Sequence, residues 1–452
     1  MIKKITLLMI LLISTIFSSY GQGTWSQSKL STTAIRMGAA SIGSKVYFAG
    51  GARGNNILPS AIVDIYDVNS KQWTTDNLAV ARELTAGITN GNKIFFAGGI
   101  NAITSKVFDD VDIYDTTSQQ WSTANLSVPR FGIATASYGN EVLFAGGLDI
   151  QANRPYSTVD KFNTSTGVWS TDSLSAARGA MGYAVAGRKV VFAGGFTGFG
   201  NPPSNAVDIY DFNSGQWTTD TLSLARVFLS ATAVGNKIII AGGMTAANTP
   251  TDRVDIYDVS TGIWTTSRLS VPRALFDMAA TACGKAFFVG GGNFNINTGG
   301  WETASNVVDI YDPVSGVWTL EQIPSHALVN HEVVANGNQL FVAGGTDLPT
   351  VFNTVDIYAC STLGIDNLSN EKNSFTLYPN PANEKVVISY PLLAGKNTTV
   401  TITDITGKLV FKTNPTQTEK IEVNTKHLDP GAYLVQVQTD DIVSARKLFI
   451  EK

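Results

Sequence analysis

The chain has 452 residues, of which 15% are charged, with 32 Lys and Arg against 36 Asp and Glu for a net charge of -4. A slightly acidic balance without basic clusters excludes nucleic acid as an expected partner, because backbone phosphates demand grouped Lys and Arg. Two cysteines, Cys283 and Cys360, exclude a disulfide framework and leave one optional bridge at most.

The N-terminus opens with Lys3 and Lys4, continues as an apolar run from Ile5 to Phe17, and ends in small and polar residues through Gln22. That order is a secretory signal peptide, expected over 1–22. The apolar run falls short of the ~20 residues a membrane span needs, so no transmembrane span is expected in the mature protein.

A repeat follows. Paired glycines stand at Gly50-Gly51, Gly98-Gly99, Gly146-Gly147, Gly194-Gly195, Gly242-Gly243, Gly290-Gly291 and Gly344-Gly345, with five steps of 48 residues and one of 54. After each comes VDIYD or a variant, as at Val63 to Asp67 and Val111 to Asp115, and then one tryptophan: Trp73, Trp121, Trp169, Trp217, Trp264 and Trp318. The seventh unit lacks its tryptophan, while Trp25 stands ahead of the first unit. The spacing therefore predicts a ring of seven units cut between two strands, sealed by the N-terminal segment.

Within a unit the apolar pattern has period two, broken by turn residues, and predicts four short strands and no helix. In the second unit these are Ala86 to Thr89, Lys93 to Ala97, Asp110 to Tyr114 and Gln120 to Ser122. The first strand of each unit is built of small residues, as expected where seven strands converge on one axis.

This combination resembles the kelch repeat, with Arg before the first strand, paired Gly after the second, Tyr in the third and Trp in the fourth. The resemblance implies an all-β fold, a seven-bladed kelch β-propeller over 23–360. Arg82, Arg130, Arg178, Arg226 and Arg273 lie nine residues after a tryptophan, with Ala34 and Ala327 at that offset in the other two units. A third-strand aspartate recurs at Asp64, Asp112, Asp160, Asp208, Asp255, Asp309 and Asp356. Groups repeated around a ring answer the same need in each blade, so these carboxylates are expected to be buried and paired with the recurring Arg or with backbone N–H groups.

After Cys360 the period stops. A polar linker is expected over 361–374, then a small Ig-like β-sandwich over 375–452 with strands near Val386 to Tyr390, Thr399 to Thr403, Lys408 to Lys412, Lys420 to Val423, Ala432 to Gln438 and Ser444 to Ile450. Its pieces YPNPA (Tyr378 to Ala382), DITGK (Asp404 to Lys408), LDPGAYLVQV (Leu428 to Val437) and KLFIEK (Lys447 to Lys452) resemble the type IX secretion C-terminal sorting domain. The resemblance implies a Bacteroidetes-like source, engagement of the type IX machinery, passage through periplasm and outer membrane, and release or attachment at the cell surface.

In a four-stranded blade the loops after strands two and four emerge on one face, and binding is expected there. The post-glycine segments differ most, and the sixth, Gly292 to Asn306, is longest. Trp301, Phe294, Phe199, Phe196, Arg154, Tyr156 and His331 are the candidate ligand-binding residues, with aromatic rings suited to stacking on a sugar or anchoring a protein. No catalytic residue, metal site or cofactor is expected: His326 and His331 lack a third ligand. The expected role is binding of an extracellular polysaccharide or protein. The alternative is a carbohydrate-active enzyme. A galactose-oxidase-like enzyme would need a copper site with a tyrosine–cysteine bond, and a sialic-acid-mutarotase-like one would draw on Glu83, Arg36, Asp277 or His331.

Overall fold

The computed structural model describes residues 23–274, 279–295, 300–360, 375–389, 398–404, 409–414, 420–439 and 442–452. The expected leader over 1–22, the linker over 361–374 and Asp277 lie outside the described residues. Gly23–Cys360 forms one compact unit and the C-terminal region another, and the described residues form strands and turns without a helix.

Gly23–Cys360 holds seven four-stranded antiparallel sheets. The second unit runs Ala86–Asn90, Lys93–Ala97, Asp110–Asp115 and Gln120–Asn125, each strand paired with the next. The innermost strands touch one another in succession, and Gly38–Ile42 contacts both Ala86–Asn90 and Glu332–Asn336, so the succession closes on itself. Thr24–Lys29 is the outer strand of the last sheet: it pairs with Thr354–Ala359, placing Trp25 opposite Tyr358 with ring centroids 5.0 Å apart.

The second strand of each sheet, such as KVYFA at Lys45–Ala49 or KIFFA at Lys93–Ala97, buries its last four residues. A strand covered on both faces by neighbouring sheets reads as a continuous apolar run. The outer strands are exposed edges of Gln, Thr, Ser and Asp around one half-buried tryptophan, a composition that discourages edge-to-edge association. That tryptophan also ties one sheet to the sheet before it: the indole N–H donates from Trp121 to Asp76 Oδ2, from Trp217 to Asp172 Oδ2 and from Trp264 to Asp220 Oδ2, each at 2.8 Å. At the axis there is no spare room, since a Cβ on Gly87 would sit 2.2 Å from the Ala39 carbonyl oxygen.

The recurring Asp and Arg form a buried clamp. Arg82–Asp112 (2.6 Å), Arg130–Asp160, Arg226–Asp255 and Arg273–Asp309 (2.7 Å each) and Arg178–Asp208 are ion-paired. The other oxygen of the carboxylate accepts an N–H from the end of the preceding sheet, as from Ala79 to Asp112 (2.8 Å) and Ser175 to Asp208 (3.0 Å). The same arginine stitches the glycine turn, with Arg82 Nε donating to the Gly98 carbonyl at 2.7 Å. Gly98 itself has φ 60° and leaves only 2.3 Å between a would-be Cβ and the Arg130 carbonyl oxygen, which explains why glycine recurs at this turn from unit to unit.

Two sheets lack that arginine. Ala34 fills the position in the first, and Arg53, from the loop after the glycine pair, reaches Asp64 instead. In the last sheet the position belongs to Leu328 and not to Ala327: Gly291 N–H donates to the Leu328 carbonyl (2.9 Å) as Gly51 N–H does to Arg82 (3.0 Å). One extra residue after the sixth outer strand shifts the count. Asp356 there accepts from Gln27 Nε2 (2.9 Å) and Ser325 Oγ.

Cys283 and Cys360 are joined as a disulfide with Cα atoms 6.1 Å apart. Cys283 takes the hairpin position that is Gly43, Gly91, Gly139, Gly187, Gly235 and Gly337 in the other sheets, and keeps their positive φ at 59°. The bridge fastens the end of Thr354–Ala359 to the neighbouring sheet's inner hairpin.

The C-terminal unit contains a three-stranded sheet, Thr376–Tyr378, Lys385–Ser389 and Lys420–Asn424, and a four-stranded sheet, Leu409–Thr413, Thr398–Asp404, Gly431–Thr439 and Ile442–Ile450. Val386, Ile388 and Val423 of the first share one core with Val400, Ile402, Val435 and Leu448 of the second. The expected strands that reached Tyr390 and Lys408 end on residues outside the described ones.

Candidate functional site

The segments after the glycine pairs meet the segments entering the inner strands. Short bridges join them sheet by sheet: Glu83 with Ile100, Phe131 with Leu148, Gly179 with Phe196, Val227 with Met244 and Val329 with Thr346. Together they line a cavity of about 370 Å³. Six aromatic side chains form much of its wall: Phe131, Phe196, Phe199, Phe228, Phe294 and Trp301.

The rings are packed edge to face and hold one another. Phe294 lies 5.3 Å from Trp301 and 4.7 Å from Phe228, and Phe196 lies 5.1 Å from Phe199. The Trp301 indole N–H donates to Asn330 Oδ1 at 2.8 Å, which ties the returning strand Gly300–Ala304 of the longest loop to the segment entering the seventh sheet. The rim is tied together as well. Gln151 Nε2 donates to the Thr104 carbonyl (3.2 Å), Phe199 N–H to Asn153 Oδ1 (2.7 Å) and Asn248 Nδ2 to Asn295 Oδ1 (3.2 Å). Such cross-links lower the ordering entropy a ligand must overcome.

Among the sequence candidates, Trp301, Phe294, Phe199, Phe196 and Arg154 line this cavity. Tyr156 stands behind, with the Arg154 guanidinium 5.1 Å over its ring. His331 is placed differently: it is 2% exposed and occupies the position filled by Met37, Ile133, Met181 and Leu229 in other sheets. Burial lowers its imidazole from the ordinary 6.5 to about 3, opposed by the Val289 backbone. His326 stacks face to face on Phe352, centroids 3.6 Å apart. Among the described residues no three His, Cys, Asp or Glu side chains gather where they could hold a metal.

Apart from Arg36, sequence reasoning missed the floor of the cavity. Arg36, Leu84, Ala180, Phe228 and Asn330 each stand two residues before an inner strand with φ between 49° and 54–55°, and Gly132 matches them at 61°. All six line the cavity. The left-handed backbone serves a hydrogen-bond relay from sheet to sheet: Arg36 N–H donates to the Asn330 carbonyl (3.0 Å), Leu84 N–H to Arg36 (2.8 Å) and Ala180 N–H to Gly132 (3.0 Å). For a residue with a Cβ this conformation costs roughly 1–2 kcal/mol. The signal in the sequence is a position that changes from Arg to Leu, Gly, Ala, Phe and Asn while its surroundings repeat.

Of the acid–base candidates, Arg36 and Glu83 do meet. Arg36 Nε lies 2.6 Å from Glu83 Oε2, and Glu83 also accepts the Ala102 N–H at 3.2 Å. Glu83 is 1% exposed, a carboxylate held inside the wall by its partner. The two cysteines are bonded to each other, so neither is free to bond a tyrosine.

Comparison with known proteins agrees with this architecture. A search among curated proteins found no match. The solved structure of YjhT superposes with a TM-score of 0.51 at 15% identity, covering 65% of this chain and 99% of that chain; at that identity the likeness speaks to the fold alone. The secretion system C-terminal sorting domain model matches residues 376–451, which marks the protein for type IX export. The Attractin/LZTR1 beta-propeller model matches residues 94–353, more than half of the chain. With its glycine turns, its Arg–Asp clamps and its N-terminal closing strand, the chain belongs to the Attractin/LZTR1 beta-propeller family and carries a type IX sorting domain behind the propeller.

Proposed function

We propose that the protein is a secreted or surface-attached binding module that recognises an extracellular polysaccharide or protein through the loop face of its propeller. The observation that carries this reading is the aromatic-walled cavity of about 370 Å³, assembled where the repeats differ from one another. Pockets of a few hundred Å³ with mostly apolar walls and a few fixed polar groups are the usual form of a recognition site. The remaining steps of the reading are removal of the leader over 1–22, passage through periplasm and outer membrane by the sorting domain, and release or anchoring at the surface. The disulfide suits an oxidising compartment.

The test is a binding screen of the purified mature protein against glycans and extracellular proteins, with Trp301→Ala in parallel. The expected result is at least one ligand whose affinity drops tenfold or more in the variant. Ligands that bind Trp301→Ala, Phe228→Gly, Leu84→Gly and the parent equally well would remove the loop face from consideration. Turnover of a free sugar by the parent would favour a carbohydrate-active enzyme instead.

A further inference from the structure

The polar groups of the cavity are largely committed already, and this limits what can enter. Asp149 Oδ1 accepts the N–H groups of Gln151 (3.0 Å) and Ala152 (3.2 Å). Asn153 Oδ1 holds Phe199, and Asn330 Oδ1 holds the Trp301 indole. Two guanidinium groups keep N–H donors available: Arg36, which uses Nε on Glu83, and the exposed Arg154. Everything else on the wall is aromatic or aliphatic, including Leu84, Ile100 and Leu148.

A sugar ring carries hydroxyls on most of its carbons, and burying them against carbon without partners is unfavourable. An apolar side chain loses nothing there, and a carboxylate next to it would find guanidinium N–H donors on this wall, whereas it would be repelled by Asp149, which stands opposite Arg154 in register. Around the floor, Leu84, Gly132, Ala180 and Phe228 form an apolar arc, and Asn330 and Arg36 a polar one.

Resting on the loop-face reading above, we infer that the occupant is a protein segment that inserts an aromatic or branched aliphatic side chain against the apolar arc and presents an adjacent Asp or Glu to Arg36 and Arg154. Leu84 and Phe228 then act as the residues that select the inserted side chain. They keep a strained left-handed backbone because their side chains, where Gly132 has none, form the floor the anchor rests on.

The experiment is selection of a displayed library of random dodecapeptides on the full secreted chain, beside a glycan array probed with the same preparation. The enriched peptides are expected to share an aromatic or aliphatic anchor beside an acidic residue. A synthetic peptide of that consensus is expected to lose tenfold or more in affinity to Phe228→Gly. Arg36→Gln is expected to abolish its preference for Asp over Asn. Thermal melting of each variant checks that the fold is kept, and Leu84→Gly provides a second probe of the floor. Enriched peptides without the anchor-and-acid pattern, or binding indifferent to both floor variants, would overturn the inference. Glycan binding lost in Phe228→Gly would also overturn it while leaving the loop-face reading intact; that reading falls only if Trp301→Ala and the floor variants alter no binding at all.

Discussion

Arg82 Nη2 lies 2.6 Å from Asp112 Oδ2 with both side chains out of reach of solvent, and the pair joins three parts of the ring at once. Arg82 also donates to the carbonyls of Gly98 (2.7 Å) and Phe96 (3.1 Å), and Asp112 accepts the N–H of Ala79 from the preceding sheet. Removing one partner leaves an unpaired charge where water cannot reach it. Arg82→Leu is therefore expected to destabilise the propeller by roughly 3–5 kcal/mol, read as a lower denaturation midpoint in urea. Arg53→Leu, acting on Asp64 from a different loop, is expected to produce a loss of the same order. A change below about 1 kcal/mol in either variant would contradict the clamp.

The disulfide between Cys283 and Cys360 spans 77 residues of sequence. Loop-closure entropy puts the stabilisation from a bridge of this span at about 4 kcal/mol. Cys360→Ser is expected to lose most of that. Cys283→Gly should lose about 1 kcal/mol less, because it restores the residue that suits φ 59° at this hairpin. Comparing the two variants under non-reducing conditions checks both statements, and adding a reductant to the parent should bring it to the level of Cys360→Ser.

The burial of His331 makes stability depend on acidity in a defined window. In the folded chain its imidazole is held neutral down to about pH 3, while the unfolded chain takes up a proton near 6.5. Between those values the unfolded state binds more protons, so stability falls as pH drops from 6.5 towards 3 and is flat above 7. At pH 5 the loss is roughly 2 kcal/mol at 1.36 kcal/mol per unit. His331→Met, copying Met37 and Met181 at the same position, is expected to abolish the loss between pH 7.5 and pH 5. Parallel urea curves at the two pH values decide it: an unchanged slope in the variant would assign the acid sensitivity elsewhere.

The sheets and their closure were legible because each rests on a residue type with one structural use. Paired glycine marks a turn too tight for a Cβ, the period-two run marks a strand, and Trp25 without a preceding unit marks the borrowed strand. The aspartates were legible by the same argument, since a charge repeated around a ring needs a repeated partner. Arg53 was not, because it lies outside the repeat and its link to Asp64 depends on the course of a loop. His331 read as a site residue since histidine is uncommon in this chain, yet its place in the repeat is a core position. The floor residues escaped notice for the opposite reason. Leu84 and Phe228 are ordinary side chains, and only their positive φ reveals that they are kept at the cavity floor at some expense to the fold.

That expense can be measured. Phe228 has φ 54° and is half-buried, while its neighbour Leu229 is fully buried between sheets. Phe228→Gly relieves the left-handed strain, roughly 1–2 kcal/mol, and gives up the contact with Phe294 and part of the apolar burial. The two effects oppose each other, so the net change is expected to stay within about 1 kcal/mol of the parent. Leu84→Gly, at φ 55°, should behave alike. Leu229→Ala opens a void in a filled core and is expected to cost about 2–5 kcal/mol. Denaturation midpoints of the three variants check the contrast. If Phe228→Gly were as damaging as Leu229→Ala, the phenylalanine would be a packing residue; if it is tolerated, packing does not account for a phenylalanine at a position suited to glycine.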